Sequence, residues 1–181
     1  MKNATKANLE VLFPAREIAV RVQALAADIS RHYPDGVLLV GVLKGACFFL
    51  ADLARQLTVP VEIDFVGISS YGSGTTSNGQ PKITHFPRIP LQNRDVLIVE
   101  DILDTGTSLY FLGQYFNRCC VKSVHIAALL NKAARRSHPI DADYCGFEIE
   151  DKFVVGYGLD YDEKYRQLPD ICVLKEASRG E

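Results

Sequence analysis

The chain has 181 residues and a formal net charge of -2, with 20 Lys and Arg against 22 Asp and Glu. Hydrophobic residues make up 48% and charged residues 23% of the chain, values that are typical of a globular protein and exclude a disordered one. The near-neutral charge gives no general attraction to nucleic acid or to an anionic membrane, so any phosphate binding must rely on individually placed residues.

The cysteines and the N-terminus indicate the compartment. Five cysteines without a Cys-x-x-Cys pair predict reduced thiols. No basic stretch followed by an apolar signal region opens the chain, and no apolar run has the length of a membrane span. We therefore expect a cytoplasmic protein with a single domain over residues 1–181, and neither nucleic acid nor membrane as a partner.

The first third of the chain is predicted to alternate between helices and strands. Pro14 opens a helix whose apolar residues recur on one face, and the turn-forming residues 33–36 end it. Residues 37–42 form an unbroken apolar run, which is typical of a strand that is buried on both faces. A second helix is predicted over residues 46–57 and a strand over residues 61–69.

Two segments in this region are candidate ligand loops. Leu43, Lys44 and Gly45 form a tight turn after the first buried strand, where backbone N–H groups and a lysine can meet a phosphate. The alternative is a plain turn with a solvated lysine, and the spacing does not match a P-loop. Residues 69–80 are rich in Ser, Thr and Gly, a composition that cannot build a core and predicts a mobile loop.

Two adjacent carboxylates follow the apolar run 96–99, which predicts a second fully buried strand. These are Glu100 and Asp101. Because parallel strands direct their carboxyl ends to a ligand crevice, we expect both side chains to lie in a site. Neighbouring carboxylates at such a place favour sugar hydroxyls, Mg²⁺ or both.

A short polar turn comes next, directly before a predicted helix over residues 109–116. It consists of Asp104, Thr105, Gly106, Thr107 and Ser108. A glycine, hydroxyl groups and the free N–H groups of a helix N-terminus together favour phosphate binding. The alternative is an ordinary helix cap provided by Thr107 or Ser108.

The remaining chain is predicted to add four strands, over residues 123–130, 144–148, 153–157 and 171–174. Strands separated by helices imply right-handed crossovers, and therefore an α/β fold with a mostly parallel sheet and helices on both faces. Lys132 ends the first of these strands and is followed by Arg135 and Arg136. For the two arginines we expect surface or subunit contacts.

Residues 96–108 resemble the phosphoribosyl-diphosphate-binding motif of the type I phosphoribosyltransferases, and most of the chain resembles the hypoxanthine-guanine phosphoribosyltransferase family of purine salvage. The resemblance implies a mostly parallel central sheet flanked by helices, with a small hood subdomain and a flexible lid loop. It implies transfer of the 5-phosphoribosyl group from 5-phosphoribosyl 1-diphosphate to hypoxanthine or guanine, giving IMP or GMP and diphosphate. It also implies Mg²⁺ as cofactor and a homodimer or homotetramer.

The resemblance assigns residues to the parts of the reaction. Asp104 would be the general base. The ribose and its 5-phosphate would bind Glu100, Asp101, Asp104, Thr105, Gly106, Thr107 and Ser108. The diphosphate would bind Lys44, Gly45, Ser70, Tyr71 and Arg166. The purine would meet Lys132, Phe153, Val154 and Asp160. Mg²⁺ would bind Glu100, Asp101 and Asp160. A cis peptide is expected at Leu43–Lys44.

One segment departs from the pattern of the family, and two other functions fit the chain less well. Residues 84–93 contain Pro87 and Pro90, which favour an extended, stiff connection. A non-catalytic regulator that senses phosphoribosyl diphosphate fits the near-neutral charge poorly. A phosphatase typically needs an Asp-x-Asp arrangement, whereas Asp101 and Asp104 are spaced Asp-x-x-Asp.

Overall fold

The computed structural model describes residues 9–70 and 81–175. Its helices are Ala15–His32 (α1), Cys47–Gln56 (α2) and Thr107–Arg118 (α3), with a short 3₁₀ turn at Ala133–Arg135. Its strands are Leu9–Phe13 (β1), Val37–Leu43 (β2), Val61–Ser70 (β3), Pro81–His85 (β4), Asp95–Leu103 (β5), Ser123–Asn131 (β6), Tyr144–Glu148 (β7), Val154–Val155 (β8) and Ile171–Leu174 (β9). Within the described ranges, no helix is long and apolar enough to cross a membrane.

Six strands form the central sheet, in the order β4-β3-β2-β5-β6-β7. All neighbours are parallel except β4, which pairs antiparallel with β3. Gly41 is paired with Val99, and Leu103 with Asn131, so the carboxyl ends of β2, β5 and β6 meet at one edge. This is the edge at which α/β sheets bind ligands.

Separate apolar cores cover the two faces of the sheet. Leu39 and Leu97 belong to the core under α1 and α2, whereas Leu38 and Ile98 belong to the core under α3. Because successive side chains of a strand point to opposite faces, a strand between two cores is apolar at every position. This explains the unbroken apolar runs and confirms the predicted fold class.

The hood is a three-stranded antiparallel sheet in the order β1-β9-β8. Phe13 of β1 stacks on Phe147 of β7, with ring centroids 4.1 Å apart, so the hood packs against the edge of the central sheet. Strand β1 was not predicted from the sequence. Its partner β9 lies at the other end of the chain, and such pairing leaves no local pattern.

Three other predicted boundaries were wrong. Strand β5 was predicted over residues 96–100 but spans Asp95–Leu103, so the two acids lie inside the strand rather than at its end. Strand β8 has two residues instead of the predicted five, because Gly156 (φ +99°) and Tyr157 (φ +49°) turn the chain away. Strand β4 occupies residues for which no strand was predicted. Tyr71 and the rest of the expected lid, residues 71–80, lie outside the described residues.

Asp64 of β3 anchors the proline-rich connection of residues 84–93. Its carboxylate accepts hydrogen bonds from the backbone N–H groups of Arg88 (2.6 Å), Ile89 (2.7 Å) and Phe65 (2.8 Å). Burial opposes ionisation, but the three backbone hydrogen bonds outweigh it, and the pKa of Asp64 is lowered. The charged carboxylate therefore stabilises this connection.

Replacing Asp64 with asparagine is expected to lower the free energy of unfolding by roughly 1–2 kcal/mol at neutral pH, since the amide cannot accept all three bonds. The folded pKa lies below the unfolded one, so this stabilisation is present above about pH 4 and is lost as the pH falls through the folded pKa. Thermal unfolding of wild type and Asp64→Asn should show a Tm difference at neutral pH that shrinks in acid. Asp28→Asn, at an exposed ion pair with Arg31, is the control. A Tm difference independent of pH would contradict the prediction.

Candidate active site

A cavity of about 480 Å³ opens at the carboxyl edge of the sheet. It brings together three segments that are far apart in sequence: the turn after β2, the end of β5 with the start of α3, and the loop after β8. The predicted site residues in its wall are Lys44, Gly45, Glu100, Asp101, Asp104, Thr105, Gly106, Thr107, Ser108, Asp160 and Arg166. Lys132, Phe153 and Val154 lie outside this wall.

The turn after β2 lies directly on the acidic pair. The Leu43–Lys44 peptide bond is cis, as expected. A Cβ atom on Gly45 would lie 1.7 Å from Oδ2 of Asp101, so only glycine fits there. From the other side, the backbone oxygen of Gly45 lies 2.0 Å from the place where Gly158 would carry a Cβ. The turn is thus enclosed between β5 and the loop after β8.

Glu100 and Asp101 are buried, with exposed fractions of 8% and 9%. Burial raises the pKa of both carboxyls, and repulsion by Asp101 raises that of Glu100 further. Within residues 9–70 and 81–175, neither carboxylate takes part in an ion pair. Buried acids without a cation are suited to a hard metal ion or to hydroxyl donors.

A Mg²⁺ ion fits this donor set only if other ligands complete its shell. Among the described residues, no group of three or more His, Cys, Asp or Glu side chains is arranged to hold a metal. Mg²⁺ typically binds through one or two carboxylates, with waters and substrate phosphates as its other ligands. The acidic pair therefore matches a Mg²⁺ ion that arrives with a phosphorylated substrate.

Helix α3 begins at Thr107, and its N-cap residue is Gly106, whose φ of +81° is a left-handed conformation that favours glycine. The alternative of a cap by Thr107 or Ser108 was wrong, because both residues lie within the helix; the hydroxyl of Thr105 accepts a hydrogen bond from the N–H of Thr107 at 3.4 Å. The hydroxyls of Thr105 and Thr107 lie 3.1 Å apart. Uncapped N–H groups and nearby hydroxyls form a favourable site for a phosphate.

Cationic groups occupy the opposite side of the cavity. Arg166 donates a hydrogen bond to the backbone oxygen of Gly158 (2.7 Å) and pairs with Asp160 (2.9 Å). Its Nε is buried and has no partner among the described residues. Glu163 lies 3.0 Å from Nζ of Lys44 and 3.3 Å from Arg166. An anion with several oxygens can compete with Glu163 for both cations.

Sequence analysis did not identify Glu163. Its only signal is its position three residues before Arg166 in an acidic turn, and such turns are common on surfaces. The hydrogen bonds of Lys44 and Arg166 lower the pKa of Glu163, in agreement with its place between the two cations.

The predicted purine-binding residues Lys132, Phe153 and Val154 form a second group, outside the wall of this cavity. Lys132 is buried at the end of β6, with its Nζ 3.7 Å from Asp151. Phe153 is half exposed and contacts the edge of Tyr161, with ring centroids 5.6 Å apart. Val154 is buried in β8. An exposed aromatic ring can stack on a planar heterocycle, and a lysine can donate to an acceptor oxygen.

Asp104 lies in the cavity wall next to Leu103, whose backbone oxygen accepts a hydrogen bond from the N–H of Lys132 at 2.9 Å. Its Oδ2 lies 3.4 Å from Nη1 of Arg135, whereas its Oδ1 is buried and has no hydrogen-bond partner within the described residues. The carboxylate is therefore only partly satisfied by the described residues and keeps the capacity to accept a further hydrogen bond or a proton.

Comparisons with known proteins agree with this geometry. The phosphoribosyl transferase domain family matches residues 9–162. The hypoxanthine-guanine phosphoribosyltransferase of Bacillus subtilis (strain 168) is 46% identical over 169 residues, which cover 93% of this chain and 94% of that protein. The corresponding Streptococcus mutans protein is 44% identical, covering 92% of this chain and 93% of its own length. A solved hypoxanthine phosphoribosyltransferase structure from Staphylococcus aureus superposes with a TM-score of 0.91 at 39% identity, over 100% of both chains.

Proposed function

Because the chain belongs to the phosphoribosyltransferase family, we propose that it is a purine salvage enzyme that acts on 6-oxopurines. It transfers the 5-phosphoribosyl group from 5-phosphoribosyl 1-diphosphate to hypoxanthine, guanine or both, and releases diphosphate. The observation that carries this proposal is a single cavity with an anion site at each side and buried acids between them. The substrate has the same order of groups: phosphate, ribose, diphosphate.

The phosphoribosyl diphosphate would span the cavity. Its 5-phosphate binds at the N-terminus of α3, where Thr105 to Ser108 offer hydroxyl and N–H donors. Its ribose hydroxyls bind Glu100 and Asp101, whose burial disfavours their charge until a partner arrives. Its diphosphate binds Lys44, Gly45 and Arg166, with Ser70 and Tyr71 contributing from the end of β3 and from the segment beyond it.

Glu100 and Asp101 would hold one Mg²⁺ ion and Asp160 a second one, each together with oxygens of the substrate. When bound, the ions would offset the negative charge that develops on the leaving diphosphate. Lys44 and Arg166 act on the same charge through hydrogen bonds of the kind that they already make within the protein to the carboxylate of Glu163.

The purine would lie between Phe153 and the cavity. Phe153 stacks on the purine face, and the backbone at Val154 meets the edge of the base. Asp160 borders the base on the side of the diphosphate. Lys132 donates a hydrogen bond to the 6-oxygen. Adenine has an amino group at that position, which is itself a donor, so this lysine discriminates against it.

In the reaction, a purine nitrogen attacks C1 of the ribose, and the bond between C1 and the diphosphate oxygen breaks with its electron pair leaving on diphosphate. The ribose ring oxygen shares the positive charge that develops at C1, as in other glycosyl transfers. Asp104 accepts the proton from the purine ring as general base, a role that its carboxylate in the cavity wall supports.

We further propose that the protein is a cytoplasmic, single-domain homodimer or homotetramer, with neither nucleic acid nor membrane as a partner. The near-neutral charge of the chain supports the absence of nucleic acid and membrane as partners. Sedimentation analysis tests the oligomeric state, and a monomer at all concentrations would contradict a dimer or tetramer.

The function is tested by incubating the protein with Mg²⁺, phosphoribosyl diphosphate and, separately, hypoxanthine, guanine, xanthine and adenine. We expect nucleoside monophosphate from 6-oxopurines and none from adenine. Binding of phosphoribosyl diphosphate without product from any base would contradict the proposal and would indicate a regulator of the same fold.

A further inference from the structure

Residues 135–137, which follow β6, contact the first three residues of the turn before α3. We call this turn, residues 104–108, the phosphate cradle. Ser137 donates through both its N–H (2.9 Å) and its hydroxyl (3.1 Å) to the backbone oxygen of Thr105. Arg136 lies beneath Gly106, where a Cβ on the glycine would be 3.1 Å from Cδ of the arginine. Arg135 reaches Asp104. Three consecutive residues thus support three consecutive residues of the cradle.

Arg136 has a structural role in this arrangement. It is largely buried and donates to Oδ1 of Asn131 and to the backbone oxygen of Ile140. Asn131 in turn donates to Glu148 at 2.8 Å. These bonds tie the segment to the ends of β6 and β7, so it forms a fixed base under the cradle.

Arg135 differs because its side chain is half exposed and pairs with two acids. Its Nη1 lies 3.4 Å from Oδ2 of Asp104 and 3.8 Å from Asp151. Asp151 is also the partner of Lys132, at 3.7 Å. Through Arg135 and Asp151, these contacts connect Asp104, the proposed general base, with Lys132, the proposed hydrogen-bond donor to the purine oxygen. They also make the two oxygens of Asp104 unequal, since Oδ1 has no partner within the described part of the chain.

We propose that Arg135 is a positioning residue for proton transfer, an inference that rests on the proposed function. Its guanidinium pairs with Oδ2 of Asp104 and thereby fixes the orientation of the carboxylate at the cavity wall. In the step that it serves, the ring N–H bond breaks and the proton moves to the Asp104 carboxylate. The nitrogen forms its bond to C1 of the ribose, and the electron pair of the broken C1–O bond leaves with diphosphate.

The kinetic effect of Arg135 can be separated from an effect on stability. Solvent-exposed ion pairs contribute only about 0–1 kcal/mol to folding, so removal of this one should leave Tm nearly unchanged. Misplacement of a reacting group, in contrast, lowers the rate of the chemical step. We therefore expect that removal of the Arg135 side chain changes kcat without a matching change in Tm or in the KM for phosphoribosyl diphosphate.

The test is a double-mutant cycle with Arg135→Ala, Asp104→Ala and the combined variant, assayed with Mg²⁺, phosphoribosyl diphosphate and hypoxanthine. We expect Arg135→Ala to lower kcat on the order of tenfold, with KM for phosphoribosyl diphosphate within about twofold. Arg135→Lys should recover part of the rate. In the Asp104→Ala background, the loss of Arg135 should have no further effect. Arg31→Ala, at an exposed ion pair on α1, is the matched control and should retain wild-type kcat.

Each outcome of the cycle decides the question. An unchanged kcat in Arg135→Ala, or an equal loss of rate with and without Asp104, would overturn the inference while wild-type activity upheld the proposed function. An inactive wild-type protein would overturn both. If Arg135→Ala lowers Tm markedly, the cycle is repeated with Arg135→Met, which keeps an aliphatic side chain but removes the charge.

Discussion

Replacing Asp104 with alanine is expected to lower kcat by roughly 10²–10⁴-fold, the usual contribution of a general base. Phosphoribosyl diphosphate should still bind, because the α3 N-terminus and the Lys44–Arg166 side of the cavity remain intact. Steady-state kinetics with hypoxanthine should therefore show a large loss in kcat and a small change in the KM for phosphoribosyl diphosphate.

Asp104→Asn separates the proton acceptor from the shape of the side chain, since the amide fills the same space but does not accept the proton. It should be nearly as slow as the alanine variant. Asp141→Asn, an exposed acid paired with Arg136 in the neighbouring loop at 3.5 Å, should retain wild-type kcat. A near-normal rate in both Asp104 variants would refute the assignment of this carboxylate as base.

Replacing Gly158 with alanine is expected to impair both folding and the binding of phosphoribosyl diphosphate. Gly158 has a φ of +101°, and a Cβ there would lie 2.0 Å from the backbone oxygen of Gly45. It also bonds Arg166 through its N–H (2.9 Å) and its carbonyl (2.7 Å). The unfavourable backbone conformation costs about 1–3 kcal/mol and overpacking about 1–3 kcal/mol more, so we expect a loss of roughly 2–6 kcal/mol in the free energy of unfolding.

The KM for phosphoribosyl diphosphate should rise in Gly158→Ala on the order of tenfold or more, because the clash displaces the turn that carries Lys44 and disturbs the loop that carries Arg166. Gly113→Ala is the matched control. Gly113 lies within α3, and a Cβ added there would meet nothing within 4 Å, so alanine should stabilise by about 0.5–1 kcal/mol through its helix propensity. Normal Tm and normal KM in Gly158→Ala would contradict the close contact between the two loops.

Local patterns were sufficient to predict most of the central architecture. The apolar positions Ile18, Val22, Leu25 and Ile29 of α1 are all buried, as their helical spacing indicates. The unbroken runs in β2 and β5 predicted strands covered on both faces, and both are. These elements were predictable because a helix buried on one face has apolar residues at helical spacing, and a strand buried on both faces has an unbroken apolar run.

Elements that depend on distant pairing were not predictable in the same way. Strand β1 exists because β9 lies beside it, and β4 exists because it pairs with the end of β3. Each has five residues; β1 lacks the alternation of a half-buried strand, and β4 shows it only around Ile83, which is too short a pattern to indicate a strand. Aromatic content suggested a longer β8, but residues with positive φ at 156–158 end it early.

The same division holds within the site. The sequence by itself determined the chemical groups: the acidic pair, the hydroxyl-rich turn before α3, and the glycine turn with its lysine. Only the tertiary structure decided that Glu163 pairs with both Lys44 and Arg166, and that Arg135 pairs with one oxygen of Asp104. Residue type and spacing specify chemistry and local conformation, whereas contacts between side chains far apart in the chain depend on how the completed sheet brings its strand ends together.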